Sequence, residues 1–559
     1  MFSRFFGILS LGAIVSVLFA SAAQAAPGNL DTTFAGSGFS TQLIGGADTF
    51  ARDVAQAPDG KVVVGGTSTV SPQIIWVIRY NADGSLDSSF SGDGIATVSN
   101  PLNYLNGGSI AVQPDGKVLI AGVGTFGGND DFAIQRLNAD GTPDSSFASG
   151  NLAHFDVYDS DYLYDIALQA DGKVVLAGSA SPAAGKEVAL VRLTPSGSLD
   201  SSFDGDGRAV LAIAGKDAVA KAVAIAPDGS IDVVGRTTTA GVYNFLAARF
   251  TSSGTIDPSF GGGGYAISDF LSASEGLEGI AVQPDGKLLG SGRVPGTPNK
   301  QGGIVRYNID GTLDQTFGAG GVVRETIGDG GATECPSLTL LPNGRIVAGC
   351  DAFMSNPERV RTILVRHLPS GAPDVTFGVG GATVADGALP NSYVSRIAAQ
   401  SDGRILVAGG ASAATPAPML VSRFIGGEYA PTAKISSPKS SRVKAKKLTK
   451  FAGGAEPAGL VSKVQIAVRR QDARALKKKR QCVWLSSNKA KFKKVRDKTR
   501  KCSAQRWLTA KGTAKWSYKL KRRLPKGKYS LYVRVVLAEG TANTSFSKAS
   551  GTLRSFTVK

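Results

Sequence analysis

Histidine, methionine and cysteine are rare in this chain of 559 residues, which has 2, 3 and 4 of them. The two histidines, His154 and His367, stand far apart, and no serine nucleophile elbow, zinc helix motif or nucleotide-binding glycine loop is present. Gly261–Gly264 is a glycine run with no helix pattern after it, so it does not predict a phosphate site. We therefore predict no catalytic and no cofactor-binding residue.

The four cysteines form two local pairs, Cys335 with Cys350 and Cys482 with Cys502. Zinc is the alternative, but neither pair has the C-x-x-C spacing and only two histidines could complete a site. We predict two disulfides, each closing a short loop and contributing on the order of 3 kcal/mol.

Long apolar runs are missing after the first 25 residues. Residues 1–25 have the features of a secretory signal peptide, with Arg4, the apolar run Ile8–Ala20 and the A-x-A site Ala23–Ala25. A membrane anchor is the alternative, although a span needs about 20 apolar residues. We expect a secreted, extracellular protein that has no transmembrane segment once the signal is removed.

Acidic residues are almost absent from the last quarter of the chain. From Pro431 to Lys559 there are 36 Lys and Arg against 4 acids, a net charge of +32. The rest has 62 − 36 = 26 basic and 44 − 4 = 40 acidic residues, a net charge of −14. The chain therefore joins two parts of opposite charge.

The acidic part is built from one repeated unit, best seen in Pro114–Phe147. It opens on an Asp-Gly or Asn-Gly turn between apolar runs, a strong hairpin signal that predicts a type I′ turn. The turn occurs seven times, at spacings of 56 to 59 residues: Asp59-Gly60, Asp115-Gly116, Asp171-Gly172, Asp228-Gly229, Asp285-Gly286, Asn343-Gly344 and Asp402-Gly403.

Each copy contains four strand candidates, in the second copy Ser109–Gln113, Lys117–Ala121, Phe132–Leu137 and a run beginning near Leu152. The inner runs are apolar at consecutive positions, as in a sheet covered on both faces. Radially repeated four-stranded sheets predict an all-β, seven-bladed β-propeller at 27–427, and a β-solenoid is the alternative. The first copy lacks its start and the last lacks its end, so we predict that the two termini share one blade.

One polar pair recurs in every copy, an Arg followed eight residues later by an Asp. We predict a bidentate Arg–carboxylate contact in each blade. The incomplete end copies would supply the last pair across the ring. The pairs are Arg79–Asp87, Arg136–Asp144, Arg192–Asp200, Arg249–Asp257, Arg306–Asp314, Arg366–Asp374 and Arg423–Asp31.

Two further acidic patterns have alternative interpretations. Asn81–Asp87 has oxygen ligands at a spacing partly like a calcium loop, although other copies carry Ser in place of an Asp and no Glu completes the set. An Asx-type turn explains the same residues, so we predict no metal site. The carboxylates of Asp130-Asp131 and of Asp159 and Asp161 are the nearest candidates for a catalytic pair, and loop and turn roles explain them equally well.

The repeat pattern PDGK-x-apolar-apolar-x-G, followed by R-[YLF]-N-x-DG-x-[LP]-D-x-x-F-x-G-x-G, resembles the delta-60 repeat of secreted bacterial proteins over residues 28–425. The resemblance implies a β-propeller and no established activity. This chain departs from the pattern in places, since Ala170 and Ser401 replace the turn proline.

After a linker at 428–432, residues 433–559 contain strand-like segments that predict a small β-sandwich. The stretch Leu524–Tyr529 resembles bacterial immunoglobulin-like modules, in which the Tyr often hydrogen-bonds back to the chain. The densest basic residues are candidates for polyanion binding: Lys477, Lys478, Lys479, Arg480, Lys491, Lys493, Lys494 and Arg496. Solvated loops are the alternative, but the charge far exceeds what solubility requires.

These features predict a monomeric binding or scaffolding propeller whose basic domain holds it to an anionic envelope polymer or polysaccharide. Protein ligands on the propeller face are a further expectation, and export excludes intracellular nucleic acid. Ligand contacts are expected in the unrepeated loops Val123–Asp130, Ser179–Lys186 and Pro295–Gln301. The alternative is an extracellular glycoside hydrolase or lyase, which would need two converging carboxylates about 5–10 Å apart.

Overall fold

The computed structural model describes most of the repeat region and parts of the basic region. The signal peptide (1–25), most of the linker, Lys477–Arg480 and Cys502 lie outside the described residues. No helix in the described part is long and apolar enough to cross a membrane. The described residues are 26–70, 73–98, 108–182, 185–239, 241–269, 276–294, 301–325, 327, 333–355, 358–385, 391–411, 415–427, 432–438, 441–456, 461–471, 481–487, 489, 491–496, 507–511, 515–537 and 553–559.

The repeats fold into seven four-stranded antiparallel sheets in the described part of the chain. In sheets 1 to 6 the four strands pair in chain order. Sheet 1 is β2 Thr49–Gln56, β3 Val62–Ser68, β4 Ile74–Tyr80 and β5 Ile95–Val98; sheet 2 is β6 Ser109–Val112, β7 Val118–Phe126, β8 Asn129–Leu137 and β9 Ala153–Phe155; sheet 3 is β10 Asp161–Leu168, β11 Val174–Ala180, β12 Glu187–Leu193 and β13 Arg208–Leu211. Sheet 4 is β14 Asp217–Ile225, β15 Ile231–Thr239, β16 Val242–Phe250 and β17 Tyr265–Ser268; sheet 5 is β18 Gly276–Val282, β19 Leu288–Val294, β20 Gln301–Tyr307 and β21 Val322–Glu325; sheet 6 is β22 Thr333–Leu340, β23 Ile346–Ser355, β24 Glu358–His367 and β25 Ala382–Val384.

Sheet 7 combines the two ends of the repeat region. Its strands are β26 Ser392–Ala399, β27 Ile405–Ala411, β28 Met419–Phe424 and, from the start of the chain, β1 Phe39–Gln42. β1 pairs antiparallel with β28, and Leu30 forms a further bridge to Phe424. Successive sheets pack on one another, and sheet 1 also packs on sheet 7.

The second and third strands of each sheet are buried on both faces, as their consecutive apolar residues predict. Every residue of β3 is buried. Apolar clusters fill the spaces between neighbouring sheets; between sheets 1 and 7, for example, Trp76 and Ile78 pack with Leu406 and Met419. The core therefore lies between the sheets and stabilises their mutual packing.

The predicted type I′ hairpin turn is wrong. Gly60 N donates to Ala57 O at 2.9 Å, and Ala57 N donates to Lys61 O at 2.8 Å. Gly60 has φ +90°, whereas Asp59 is not among the positive-φ residues. The loop is the three-residue hairpin in which a turn is followed by a glycine bulge. Pro58 explains the difference, because its fixed negative φ suits the first central position of a type I turn and not of a type I′ turn.

The described basic region forms two sheets around one apolar core that includes Phe451, Val464, Trp516 and Tyr529. Tyr529 Oη donates to Pro525 O at 2.7 Å, four residues back along the chain. The smaller sheet has β29 Thr432–Ser437, β31 Lys450–Glu456 and β36 Lys515–Lys519; the larger has β30 Arg442–Val443, β32 Val461–Arg470, β33 Gln481–Leu485, β34 Phe492–Arg496, β35 Leu508–Thr509, β37 Gly527–Leu537 and β38 Leu553–Val558. Two single-turn 3-10 segments, Ala148–Gly150 and Ala445–Lys447, complete the described elements.

Candidate functional site

The repeated Arg and Asp meet in six of the seven predicted pairs. In each of the six, the Arg Nε donates to one carboxylate oxygen of the Asp, at 2.6 to 2.9 Å. The contact is single at the carboxylate and not bidentate as predicted, and in five of the six pairs Nη2 bonds a Ser or Thr hydroxyl, for example Arg136 Nη2 to Ser146 at 3.1 Å. The pairs are Arg79–Asp87, Arg136–Asp144, Arg192–Asp200, Arg306–Asp314, Arg366–Asp374 and Arg423–Asp31.

The fourth copy corrects the prediction. Arg249 binds Asp232 on the adjacent strand instead of Asp257, through Nε to Oδ1 at 2.6 Å and Nη2 to Oδ2 at 3.0 Å. Asp232 occupies the position of Val63 in the first copy, directly opposite the Arg in the strand register. A fully buried carboxylate opposite Arg249 is the nearer partner, and Asp257 keeps only its turn contacts to Ser259.

A second cation, which the sequence analysis missed, contacts the Asp in six copies. Lys61 Nζ, for example, lies 2.6 Å from Asp87 Oδ2. Burial by itself would raise the pKa of Asp87, but hydrogen bonds from Lys61, Ser89 and Arg79 outweigh it and hold the pKa well below its usual range. The six cations follow the hairpin glycine: Lys61, Lys117, Lys173, Lys287, Arg345 and Arg404.

The same Arg side chains also connect neighbouring sheets. The Nη1 group of each donates to a backbone carbonyl of the next sheet, as Arg136 does to Pro195 at 2.7 Å. Each guanidinium also lies over the Phe that closes its own unit, as Arg136 does over Phe147 at 4.7 Å. The last Arg, Arg423, reaches Ala82 O in the first copy at 2.5 Å. The ion-pair, backbone and ring contacts of the repeated residues therefore hold neighbouring sheets together.

Unrepeated side chains come together where the first strands of the seven sheets meet. A cavity of about 380 Å³ lies there, and we call it the axial cavity. In most of these strands a bulge places one extra residue at this level. The lining residues are Arg52, Ser109, Tyr164, Lys221, Glu278, Glu334, Pro336, Asp351, Tyr393, Val394, Ser395 and Arg396.

One ion cluster crosses the axial cavity. Arg396 of sheet 7 lies 2.9 Å from Asp165 of sheet 3 and 3.5 Å from Asp53 of sheet 1. The Ser109 hydroxyl of sheet 2 lies within hydrogen-bonding distance of both carboxylates, 3.2 Å from Asp165 and 3.4 Å from Asp53, and can donate to either. Burial raises the pKa of Asp53 to about 6, against the opposing effect of Arg396. The cluster ties four sheets together across the axis.

Two lining residues have polar atoms without a hydrogen-bond partner. Arg52 lies 5.4 Å over the Phe50 ring, but within the described residues its Nε and the Tyr393 hydroxyl are buried without a hydrogen-bond partner. Burial lowers the pKa of Arg52 and raises that of Tyr393 to about 12, so the tyrosine remains a hydrogen-bond donor. Lys221 lies 3.7 Å over the Tyr164 ring, and burial lowers its pKa and raises that of the neighbouring Glu278. The axial cavity therefore contains positively and negatively charged side chains, and two of its polar atoms, Arg52 Nε and the Tyr393 hydroxyl oxygen, have no hydrogen-bond partner within the described residues.

Asp351, which also lines the cavity, makes the stability of the fold depend on pH. It accepts Val394 N at 2.8 Å, and burial raises its pKa to about 8. An acid with a raised folded-state pKa stabilises the fold fully below about pH 4, and this contribution is lost as pH rises through about 8. We expect wild type to lose on the order of 1 kcal/mol of unfolding free energy from this group between about pH 7 and 9.

Urea denaturation of Asp351→Asn at both pH values checks this. The variant should lose less stability over the interval than wild type, while Asp159→Asn, at an exposed position, should behave as wild type. Equal losses in wild type and Asp351→Asn would contradict the assignment.

Two of the other acidic candidates, Asp131 and Asp161, form a separate cluster with Asp156, whereas Asp130 accepts a hydrogen bond from Thr125 and Asp159 is exposed. Asp131, Asp156 and Asp161 place carboxylate oxygens within 4.8 Å of one another, and His154 Nδ1 lies 2.7 Å from Asp131. Burial raises the pKa of Asp161 to about 7. In the calcium-like loop, Asp83 instead accepts from Ser85, and Asp87 is held by Arg79 and Lys61. That loop forms the Asx-type turn.

One predicted disulfide is present. Cys335 and Cys350 bond across β22 and β23, with both residues buried. The pair Cys482–Cys502 involves Cys502, which lies outside the described residues. Of the predicted polyanion-binding residues, only Lys491 has a described side chain, and it is exposed.

Comparison with known proteins supports the fold. Five stretches match the family model described as "Domain of unknown function (DUF5122) beta-propeller", at residues 57–90, 113–147, 169–203, 226–260 and 283–317. Each runs from a hairpin turn to the Phe that closes the unit. Together with the four-stranded sheets, these matches show a β-propeller repeat protein. No curated protein matches the chain.

Several solved structures are similar to this chain at low identity. A protein of unknown function from Dyadobacter fermentans has TM-score 0.35 and 11% identity, over 69% of this chain and 97% of its own. The β-propeller domain of the trilobed protease from Pyrococcus furiosus has TM-score 0.37 and 7% identity, over 69% and 98%. A PL25 ulvan lyase has TM-score 0.39 and 10% identity, over 69% and 97%.

Proposed function

We propose that this chain is a secreted, ligand-binding β-propeller of seven blades, closed by pairing β1 with β28, with its ligand site in the axial cavity. The repeats would be delta-60 repeats. One observation carries the proposal: the framework residues recur in every copy, whereas the cavity positions differ from sheet to sheet. Arg52, Tyr164, Lys221 and Glu278 stand at corresponding bulges of four sheets.

The seven-bladed, closed arrangement is supported by the contacts between sheets 1 and 7 and by the Arg423–Asp31 pair at 2.8 Å. The hydrolase or lyase alternative is not favoured. Among the carboxylates of the lining, Glu334 is held by Arg293 at 2.5 Å, and the nearby Asp53 and Asp165 are held by Arg396.

A thermal-shift screen of the full mature chain against oligosaccharides and small metabolites tests the site. We expect at least one compound to raise the melting temperature, and Lys221→Met to reduce that shift at least fivefold. Lys216→Met, on the turn before the same strand and outside the cavity lining, is the matched control. Hits that respond equally to both substitutions would exclude the axial cavity as the site.

The C-terminal region is proposed to be an immunoglobulin-like domain that holds the propeller at the envelope. Its two sheets around one core and the Tyr529–Pro525 hydrogen bond support this fold. Its net charge of +32 over residues 431–559 supports binding to an anionic polymer or polysaccharide.

Retention on envelope fractions is expected to depend on salt. The protein should bind at low ionic strength and be released by about 0.5 M NaCl, because screening at that concentration suppresses contacts between exposed charges. Replacing Lys477–Arg480 by glutamine should lower the salt needed for release, whereas replacing Lys61 and Lys117, which lie in the propeller, should not. Retention at about 0.5 M NaCl would contradict electrostatic anchoring.

A further inference from the structure

The charged side chains of the axial cavity differ in whether they have a partner of opposite charge. Arg396 is neutralised by Asp53 and Asp165, and Glu334 by Arg293. Lys221 and Glu278, on adjacent sheets, influence each other electrostatically. Arg52 differs from them, since no carboxylate acts on it and its only electrostatic neighbour is Tyr393. Among the cations of the described cavity lining, Arg52 alone lacks an acidic partner.

An unpaired guanidinium is costly to bury unless an anion joins it. Its planar fork matches a carboxylate, which it can bind through two parallel hydrogen bonds. The Tyr393 hydroxyl, buried beside it without a partner, is a further donor. This corner of the cavity is therefore a receptor for a carboxylate.

The rest of the lining favours hydroxyl groups. Glu278 and Asp351 offer carboxyl groups, Ser109 and Ser395 offer hydroxyls, and Val394 and Pro336 are the aliphatic side chains of the lining. A volume of about 380 Å³ is at the lower end of the range of small-molecule sites, about 300–1,000 Å³. Such a site suits one or two polyhydroxylated rings and not an apolar or extended ligand.

Resting on the proposed function, we infer that the axial cavity binds a sugar acid, with its carboxylate on Arg52 and Tyr393 and its ring hydroxyls on Lys221 and Glu278. Arg52 is the residue that distinguishes an acidic sugar from a neutral one. Lys221 and Glu278 contribute to binding of both.

Isothermal titration of the full mature chain with D-galacturonate, D-glucuronate, D-galactose and succinate tests the inference. At least one uronate should bind about tenfold or more tightly than galactose and succinate, because one charged hydrogen-bonded contact is worth about a factor of ten or more. Arg52→Gln should weaken uronate binding about 10- to 100-fold and leave galactose unchanged. Arg52→Lys, which keeps the charge and loses the fork, should lie between.

Folding of each variant is verified by its melting temperature. Arg52→Gln should melt close to the wild-type temperature, because Arg52 is half-buried and its Nε has no hydrogen-bond partner within the described residues. Arg208→Gln, on an outer strand, is the matched control and should bind uronate as wild type does. No uronate binding, or a preference over galactose that survives Arg52→Gln, would overturn the sugar-acid inference. Another compound whose binding is lost in Lys221→Met would still support the cavity as the site.

Discussion

Replacing Arg423 by leucine is expected to lower the unfolding free energy by about 3–5 kcal/mol, the usual cost of breaking a buried ion pair. Arg423 is buried, and it bonds Asp31 at 2.8 Å, Thr33 at 3.0 Å and Ala82 O at 2.5 Å. These contacts join the last copy to the start of the chain and to the first sheet. Urea denaturation measures the loss.

Arg136→Leu is the matched control for ring closure, because Arg136 makes the same set of contacts between sheets 2 and 3. Both variants should lose similar stability. Only Arg423→Leu should speed amide hydrogen exchange in β1 through local opening, at a free energy well below that of global unfolding. The reason is that β1 is an edge strand that pairs with sheet 7 on one side only. Protection of Phe39–Gln42 that is unchanged in Arg423→Leu would contradict a closing role for this pair.

The repeat spacing was sufficient to predict the sheets and most of the repeated contacts. An apolar run between Asp-Gly turns can only form a strand buried on both faces, as β3 and β7 do. The eight-residue separation of Arg and Asp located six pairs because the intervening turn has the same length in those copies. A Lys or Arg follows the hairpin glycine in six of the seven copies, with Ser230 in the fourth, and the same spacing argument predicts a contact with the Asp.

The axial cavity was not predictable by that argument. Its residues differ between copies. In addition, the bulge that brings Tyr164 or Lys221 to the cavity adds one residue to the strand, which shifts the alternation of its side chains between the two faces of the sheet. Ligand contacts in the unrepeated loops stay a prediction, with residues 183–184 and 295–300 of those loops outside the described residues, and the variable positions that share the axial cavity lie mostly in the first strands. A signal does exist in the sequence: a charged or aromatic residue stands at the same distance before the hairpin turn in four copies, at Arg52, Tyr164, Lys221 and Glu278.

Asp232→Val is expected to destabilise the fold by about 3 kcal/mol or more, because it leaves the buried Arg249 without its two carboxylate contacts. Adding Ser230→Lys should recover most of the loss. The double variant restores the Lys and Val that copy one carries at Lys61 and Val63, and it lets Asp257 accept both cations as Asp87 does.

A double-mutant cycle of Asp232→Val and Ser230→Lys measures whether Asp257 can replace Asp232 as the partner of Arg249. Ser230→Lys alone should be neutral or destabilising, because the Arg249 side chain is bound to the Asp232 carboxylate and not to that of Asp257. In the Asp232→Val background the same change should be stabilising, which gives a coupling energy of about 2 kcal/mol between the two positions. Equal effects of Ser230→Lys in both backgrounds, measured by urea denaturation at about pH 7, would mean that Asp257 cannot replace Asp232 as the partner of Arg249. The fourth copy would then need its own acid on the strand for a reason other than the missing lysine.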